Sequence, residues 1–506
     1  MSITTVPHAA PDSRAAPKRP GLVLFLVCTA IFMLMLDATI VSAAFADIRA
    51  DFDASIDGLQ WVVDAYALPL AGVLLTFATL GDRLGRKRVF VGGMAVFTAA
   101  SLALSFSRTI LELNVLRAVQ GVGAAMLFAT ALPLLAAAFP DRAARAKTIG
   151  VYGAVMAAAT VAGPVLGGLL VTSSGWRVIF TVNVPVGLAV LALAVARLPE
   201  TTRTPGRRVD WLGSALLTGG LVAGVFALTR GNSLGWTSLT TLTLAVAAVG
   251  LVVGFVLWER RAPHPLFDIG MVSKPGFTGT AIVSVAHMAT MMAATSFLAL
   301  YLINTLGLTP LEAGVRLLPI SGAALVAAPL AAVFAKRVPS AVSLPATLAL
   351  VAVGMWLMSN HAPGSPWTYF VPGMVLAGVG LGAITAVSQA AALTFAPDAD
   401  AGMASATFGT LRQVGMAIGV AGLGAMFGHA ARDSALAFVP GRTELVDAIG
   451  SGAGTSVIPS DQPTLRHIAE VASADGLTAL TSLGATVCAA GVIAAALAFG
   501  LSRLRR

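Results

Sequence analysis

Three ionisable side chains stand in runs that are otherwise apolar: Asp37 in LMLDATIVSAAF (34–45), Asp64 in QWVVDAY (60–66) and Arg117 in LRAVQGVGAA (116–125). A charge at bilayer depth costs about 2.5–3.5 kcal/mol on insertion scales and persists only where it faces a cavity or a partner. At about 1.5 Å of helix per residue, Asp37 lies roughly 15 Å below the outer end of its run, and Asp64 and Arg117 roughly 9 Å below theirs. An arginine side chain spans the remaining gap to Asp37. Low dielectric penalises a charged carboxylate and a nearby guanidinium favours it. A group poised between the two can load a proton on one side of a membrane and release it on the other. The same residues also fit a static ion pair that orients helices. Proton coupling is the role expected here, with Asp37 ahead of Asp64, which equally fits a place beside the outer headgroups.

The second half of the chain holds one such charge, Arg412, followed by Gln413, in GTLRQVGMAIG (409–419). It suits an anionic or carbonyl-bearing ligand, and equally a packing role on neighbouring carbonyls. In VAHMATMMAATSF (285–297), Met288, Met291 and Met292 recur at helical spacing. Their thioethers offer a flexible, polarizable surface, for a substrate cavity or for packing. His287 beside them is protonatable or a packing residue. Two further stretches suggest moving parts. GDRLGRKRV (81–89) needs a tight turn, which Gly85 permits. Arg83, Arg86 and Lys87 anchor it to an anionic leaflet, while Asp82 can pair with one of them or cap a helix, a latch that opens as parts rock. In VAGPVLGGLL (161–170), Gly163, Gly167 and Gly168 allow close helix approach and Pro164 bends the span.

These residues need helices to hold them, and the composition says in what medium. The 506 residues are 57% hydrophobic and 11% charged, against about 25% charged in soluble domains. A span needs about 20 apolar residues, and fourteen such runs occur, near 22–46, 58–80, 89–107, 111–138, 148–172, 176–197, 210–229, 237–258, 276–302, 312–334, 341–358, 368–394, 402–428 and 477–500. They are too long and continuous for the strands of a barrel. The fold class expected is an all-α polytopic membrane protein. Residues 1–20 read as a disordered tail, and the first apolar run is too long for a cleaved signal.

The net charge of +9 is not a nucleic-acid patch. With the N-terminus inside, 22 of the 32 Lys and Arg fall in cytoplasmic segments, the positive-inside bias that puts both termini in the cytoplasm. Cys28 and Cys488 fall inside spans and match no metal spacing. No H-E-x-x-H, G-x-S-x-G or P-loop is present, so no metal, cofactor or enzymatic activity is expected.

The fourth span carries VQGVGAAMLFATALPLLAAAFPD and the twelfth AGVGLGAITAVSQAAALTFAPD, with glycine pairs 259 residues apart, 121 to 380 and 123 to 382. In that register Arg117 aligns with Leu376, and spans 1–6 correspond to spans 9–14. The expected division is a tail (1–20), a six-helix bundle (21–198), a linker with two inserted helices (199–275) and a second six-helix bundle (276–506) with a long outer loop (430–476). Within that loop TLRHIAEVAS (464–473) reads as a short amphipathic helix. Paired six-helix halves are a transporter architecture with a site near the midplane.

Together these stretches resemble the major facilitator superfamily, and within it the fourteen-helix drug:proton antiporters. ATLGDRLGRKRV (78–89) is similar to the loop 2–3 signature, LDATIV (36–41) to that of span 1, LRAVQGVGAA to that of span 4 and AGPVLGG (162–168) to the span 5 signature of exporters. The resemblance implies proton coupling at Arg117 and Asp37. It also implies export of a small amphiphilic drug or antibiotic against inward protons, by alternating access in a bacterial plasma membrane. Expected partners are that substrate, protons and lipids, with no nucleic acid and a monomeric state. Proton symport and a non-transporting sensor are the competing readings.

Overall fold

In lipid no water is at hand for backbone N–H and C=O groups, so an apolar run of about twenty residues satisfies them internally as a helix. The computed structural model describes residues 19–54, 56–200, 209–263, 265, 269–335, 337–395 and 401–504; all regular structure among them is helical. Most of the tail expected at 1–20 lies outside the described residues. The first bundle contains α1 (Pro20–Ile40), α2 (Phe45–Phe52), α3 (Ile56–Leu84), α4 (Arg86–Leu104), α5 (Ile110–Ala138), α6 (Arg142–Ser174), α7 (Val178–Thr181) and α8 (Asn183–Arg197). The inserted pair is α9 (Trp211–Leu234) and α10 (Leu239–Glu259). After α11 (Ile269–Val272), the second bundle follows with α12 (Pro275–Leu300), α13 (Pro310–Arg316), α14 (Leu318–Phe334), α15 (Ser340–Ser359), α16 (Val371–Leu393), α17 (Ala401–Phe438), α18 (Thr443–Ala448) and α19 (Pro463–Leu504).

Twelve described helices are long and apolar enough to cross a membrane. The fifth and tenth expected spans fall on α6 and α14, whose described apolar runs, Val165–Ser174 and Leu318–Phe334, are shorter. Side-chain caps start several helices where the sequence places a short polar residue. Thr109 accepts from the Glu112 N–H, Asp141 from Ala144 and Asp210 from Gly213, each satisfying a donor the first helical turn leaves open.

The paired glycines show how the halves correspond. A Cβ on Gly121 would meet the Tyr66 carbonyl on α3, and one on Gly123 would lie 2.7 Å from the Phe97 nitrogen on α4. Gly378 stands in the same way against the Ile320 carbonyl on α14, and Gly380 against Thr347 and Val351 on α15. The packing register is therefore 257 residues (378 − 121 and 380 − 123), two shorter than the spacing read from the sequence, and Arg117 aligns with Met374. The twelfth span has three glycines at alternate positions, so two alignments fit its letters and only the contacts separate them.

The inserted pair packs on one flank. Ser214 of α9 hydrogen-bonds Thr76 of α3. Leu217, Leu221 and Val225 of α9 bury against Leu68 and Leu75 of α3 and Ala417 and Ala421 of α17. Helix α10 covers α9 and leaves Leu239, Val246 and Val249 exposed, as a lipid-facing helix does.

The segment expected as a long loop over 430–476 differs from expectation. Helix α17 runs on to Phe438, and TLRHIAEVAS opens the single 42-residue helix α19 instead of standing alone. Only 439–462 connect them. Stretches such as HAARDSALAF (429–438) are rich in helix formers and continue a helix beyond its apolar part. Asn304, in a π-helical turn that extends α12, donates to the Gly452 carbonyl at 2.8 Å and pins this connection down.

Candidate functional site: a buried charge network and an interhelical cavity

Asp37 sits one turn before the end of α1, and α6 fixes that turn. Gly163 of α6 lies against Thr39, and a Cβ on Gly167 would come within 2.9 Å of the Ile40 carbonyl. The small residues at 163 and 167 thus seat α6 directly beside Asp37's helix. Gly168 is buried next to them, and the Pro164 side chain lies outside the described residues.

Around Asp37 five helices converge. Arg117 of α5 donates from Nη1 to Asp37 Oδ2 at 2.5 Å and to Gln120 Oε1 at 2.7 Å, and from Nε to the Val62 carbonyl of α3 at 2.9 Å. Gln120 Nε2 donates to Asp37 Oδ1 at 3.0 Å and to Ser101 Oγ of α4 at 2.9 Å. Asn183 Nδ2, at the start of α8, donates to Asp37 Oδ1 at 2.9 Å. The Arg117 guanidinium also lies 4.4 Å from the Tyr66 ring centre, a cation–π contact. Asp37, Arg117, Gln120 and Asn183 are each at most 3% exposed.

Both Asp37 oxygens act as acceptors here, Oδ2 from Arg117 and Oδ1 from Gln120 and Asn183. Protonation cancels the charge that Arg117 and two amide donors are arranged around, and a buried guanidinium that loses its carboxylate must find another partner or water.

Asp64 does not join this network. Val62 and Tyr66 face Arg117, and Asp64, two residues from each, is turned about 200° away around α3. It shares a face with Trp61, whose ring lies 5.6 Å from Phe226 of α9, and with Leu68, in the apolar contact with α9 and α17. It is 2% exposed, and its Oδ2 has no hydrogen-bond partner among the described residues.

In the basic turn, Gly85 alone separates α3 from α4, at φ 105°. Arg86 Nη2 donates to Asp82 Oδ1 at 3.0 Å and its Nη1 to the Pro133 carbonyl of α5 at 3.2 Å. Lys87 Nζ donates to the Val195 carbonyl of α8 at 2.9 Å, and Arg83 is exposed. These three bonds stay within the first bundle. At its opposite end Asp51 accepts from Arg177 Nη1 at 2.6 Å and Trp176 Nε1 at 3.1 Å. The Arg177 bond, then the Trp176 bond, hold its carboxyl below the usual range.

In the second bundle, Arg412 of α17 borders a cavity with Leu74, Phe128, Leu132, Tyr152 and Gln389, from α3, α5, α6 and α16. Its Nη2 reaches Met288 Sδ at 3.8 Å. Gln413 is buried with its Oε1 unpartnered among the described residues. Met291, 4% exposed, lies in the apolar core of the second bundle, and Met292 packs on that core. Of the three methionines, Met288 is the one that meets Arg412.

Gln120, Ser101, Asn183 and Tyr66 were not singled out from the sequence. Gln120 and Asn183 carried a usable signal, since a carboxamide within an apolar span needs a polar partner just as a charge does.

A polytopic helical bundle with a sealed ionic cluster in one half and a polar cavity against the other is built as a secondary transporter. Comparison with known proteins agrees. The profile of the Major Facilitator Superfamily matches residues 27–420, and the chain belongs to that family of membrane transporters. It is 35% identical over 412 residues to multidrug resistance protein Stp of Mycobacterium tuberculosis, covering 80% of this chain and 75% of that protein. It is 34% identical over 410 residues to the tetracenomycin C resistance and export protein of Streptomyces glaucescens, covering 81% and 76%. Among solved structures, an inward-facing bacterial homolog of the human lysosomal transporter Spinster superposes with a TM-score of 0.65 at 16% identity, over 96% of this chain and 99% of that one.

Proposed function

We propose that this protein is a drug or antibiotic exporter. It carries a small amphiphilic compound out across the bacterial plasma membrane in exchange for protons, by alternating access, as a monomer with both termini in the cytoplasm. The observation that carries the coupling is the Asp37–Arg117 pair, buried from solvent and held by groups of five helices. In the outward-open state Asp37 takes a proton and Arg117 is released to its other acceptors. In the inward-open state the proton leaves and the pair re-forms. The inward proton supplies about 2.3 kcal/mol per 100 mV and about 1.4 kcal/mol per pH unit. The resistance and export proteins of like sequence support the outward direction, and the distribution of Lys and Arg supports the orientation.

A survival screen of cells with and without the protein, across dyes and antibiotics, supplies a substrate. Proteoliposomes then test the coupling. Asp37→Asn should keep substrate exchange at equal concentrations and lose uphill transport driven by a pH gradient. An Asp37→Asn protein that still concentrates substrate against its gradient overturns the proposal.

A further inference from the structure

Two arginines are buried among the described residues, and they are provided for very differently. Arg117 has a carboxylate, a carboxamide and a carbonyl around it. Arg412, 8% exposed, has the Met288 sulfur at 3.8 Å and no ion pair among the described residues. A thioether is a weak acceptor, and a guanidinium kept from water wants a strong one. Its setting is polar but uncharged. The Tyr152 hydroxyl, Gln413 Oε1 and His287 Nε2 are all buried and unpartnered among the described residues. Tyr152 and Gln389 line the cavity with Arg412, and His287 and Tyr152 are both within electrostatic reach of it. Leu74, Phe128 and Leu132 supply an apolar wall. Among the described residues the cavity's lining comes from both six-helix bundles and includes no carboxylate. A cationic cargo entering here would meet the like charge of Arg412.

We infer that Arg412 holds the acidic oxygen of an anionic amphiphile, a carboxylate or phenolate on an apolar ring body, where the two bundles meet; the cavity of about 20 Å³ takes that oxygen, and the ring enters as the bundles part in the transport cycle. The Tyr152 hydroxyl donates to the same oxygen, and Phe128 and the leucines cover the ring. The inference rests on the export reading and names its cargo class. It also changes the energetics. One anion out for one proton in moves two charges in the same sense, so the membrane potential acts twice. At 100 mV that supports a gradient on the order of a thousandfold without any pH difference.

The test uses purified protein in nanodiscs and two ring bodies, pyrene and anthraquinone, each as carboxylate, methyl ester and trimethylammonium derivative. The carboxylates should bind at least tenfold tighter than the esters, and the trimethylammonium forms weakest. Arg412→Gln should lose that tenfold preference and Arg412→Lys should keep part of it, while ester binding stays unchanged in both. Esters or cations that bind the parent as well as the acids do, or acids that fail to bind it at all, overturn the inference without recourse to any variant. Retained acid selectivity in a protein whose Asp37→Asn variant still pumps uphill sinks the coupling scheme alone.

Discussion

Gly123 offers a sharp test of the charge network, because a single methyl group there acts on it without touching a charged residue. A Cβ at 123 would lie 2.7 Å from the Phe97 backbone nitrogen, where ordinary contact begins at 3.4 Å. The shortfall is 0.7 Å, and the obstacle is backbone that cannot swing aside. Helix α4 must therefore back away from α5 by about that much. One turn along α4 is Ser101, whose Oγ accepts from Gln120 Nε2 at 2.9 Å. Adding the displacement stretches that contact to roughly 3.6 Å, beyond a hydrogen bond, and frees the amide that also braces Asp37. Overpacking of this kind costs about 1–3 kcal/mol, whereas alanine in an open helical position gains up to about 1 kcal/mol over glycine. Gly322→Ala is the matched control, since nothing lies within 4 Å of a Cβ there. Gly123→Ala should melt several degrees below Gly322→Ala in detergent. Its substrate-driven proton release in proteoliposomes should fall about tenfold, as misplacement approaching 1 Å does at a reacting centre. Equal melting temperatures and equal proton release in the two variants would refute the reasoning.

Two more expectations follow from the same contacts. Met291→Ala, in the core of the second bundle, should cost about 2–5 kcal/mol, while Met288→Ala, partly exposed beside Arg412, should cost less than about 1 kcal/mol; thermal unfolding of the pair in one detergent checks the order. For Asp51 the carboxyl is depressed, so its stabilisation is present above the unfolded pKa of about 3.9 and is lost as pH falls through the folded value. Asp51→Asn should lower stability by at most about 1 kcal/mol for so exposed a pair, equally at pH 8 and pH 5. A penalty that halves between those two would contradict the assignment.

Much of this could be read from the chain before any contact was known. Asp37 and Arg117 announced themselves as charges in apolar runs, and their estimated depths left a gap an arginine could close. Depth along a helix is legible in sequence, but azimuth is not. Asp64 falls at a suitable level on α3, yet only the neighbours of Val62 and Tyr66 reveal that it points the other way. Twelve of the fourteen expected spans were legible because apolar length is a local property. Which helices the inserted pair would join was not, since Ser214 and Thr218 look like ordinary small polar residues until Thr76 and Gly72 stand opposite them. Among the methionines, helical spacing named a stripe, and packing assigned Met291 to the core.

Helix α9 rests against one helix from each bundle, and the two seams are unlike. Toward α3 it has a hydroxyl pair and a glycine notch that takes Thr218; toward α17 Leu217, Leu221 and Val225 meet the small apolar side chains of Ala417 and Ala421. A peg and a greased plate respond differently to shear. The expected outcome is that the inserted pair travels with α3 when α3 and α17 part, which distances between spin labels on α9 and on each of those two helices check; a constant α9–α17 distance with a changing α9–α3 distance would overturn it.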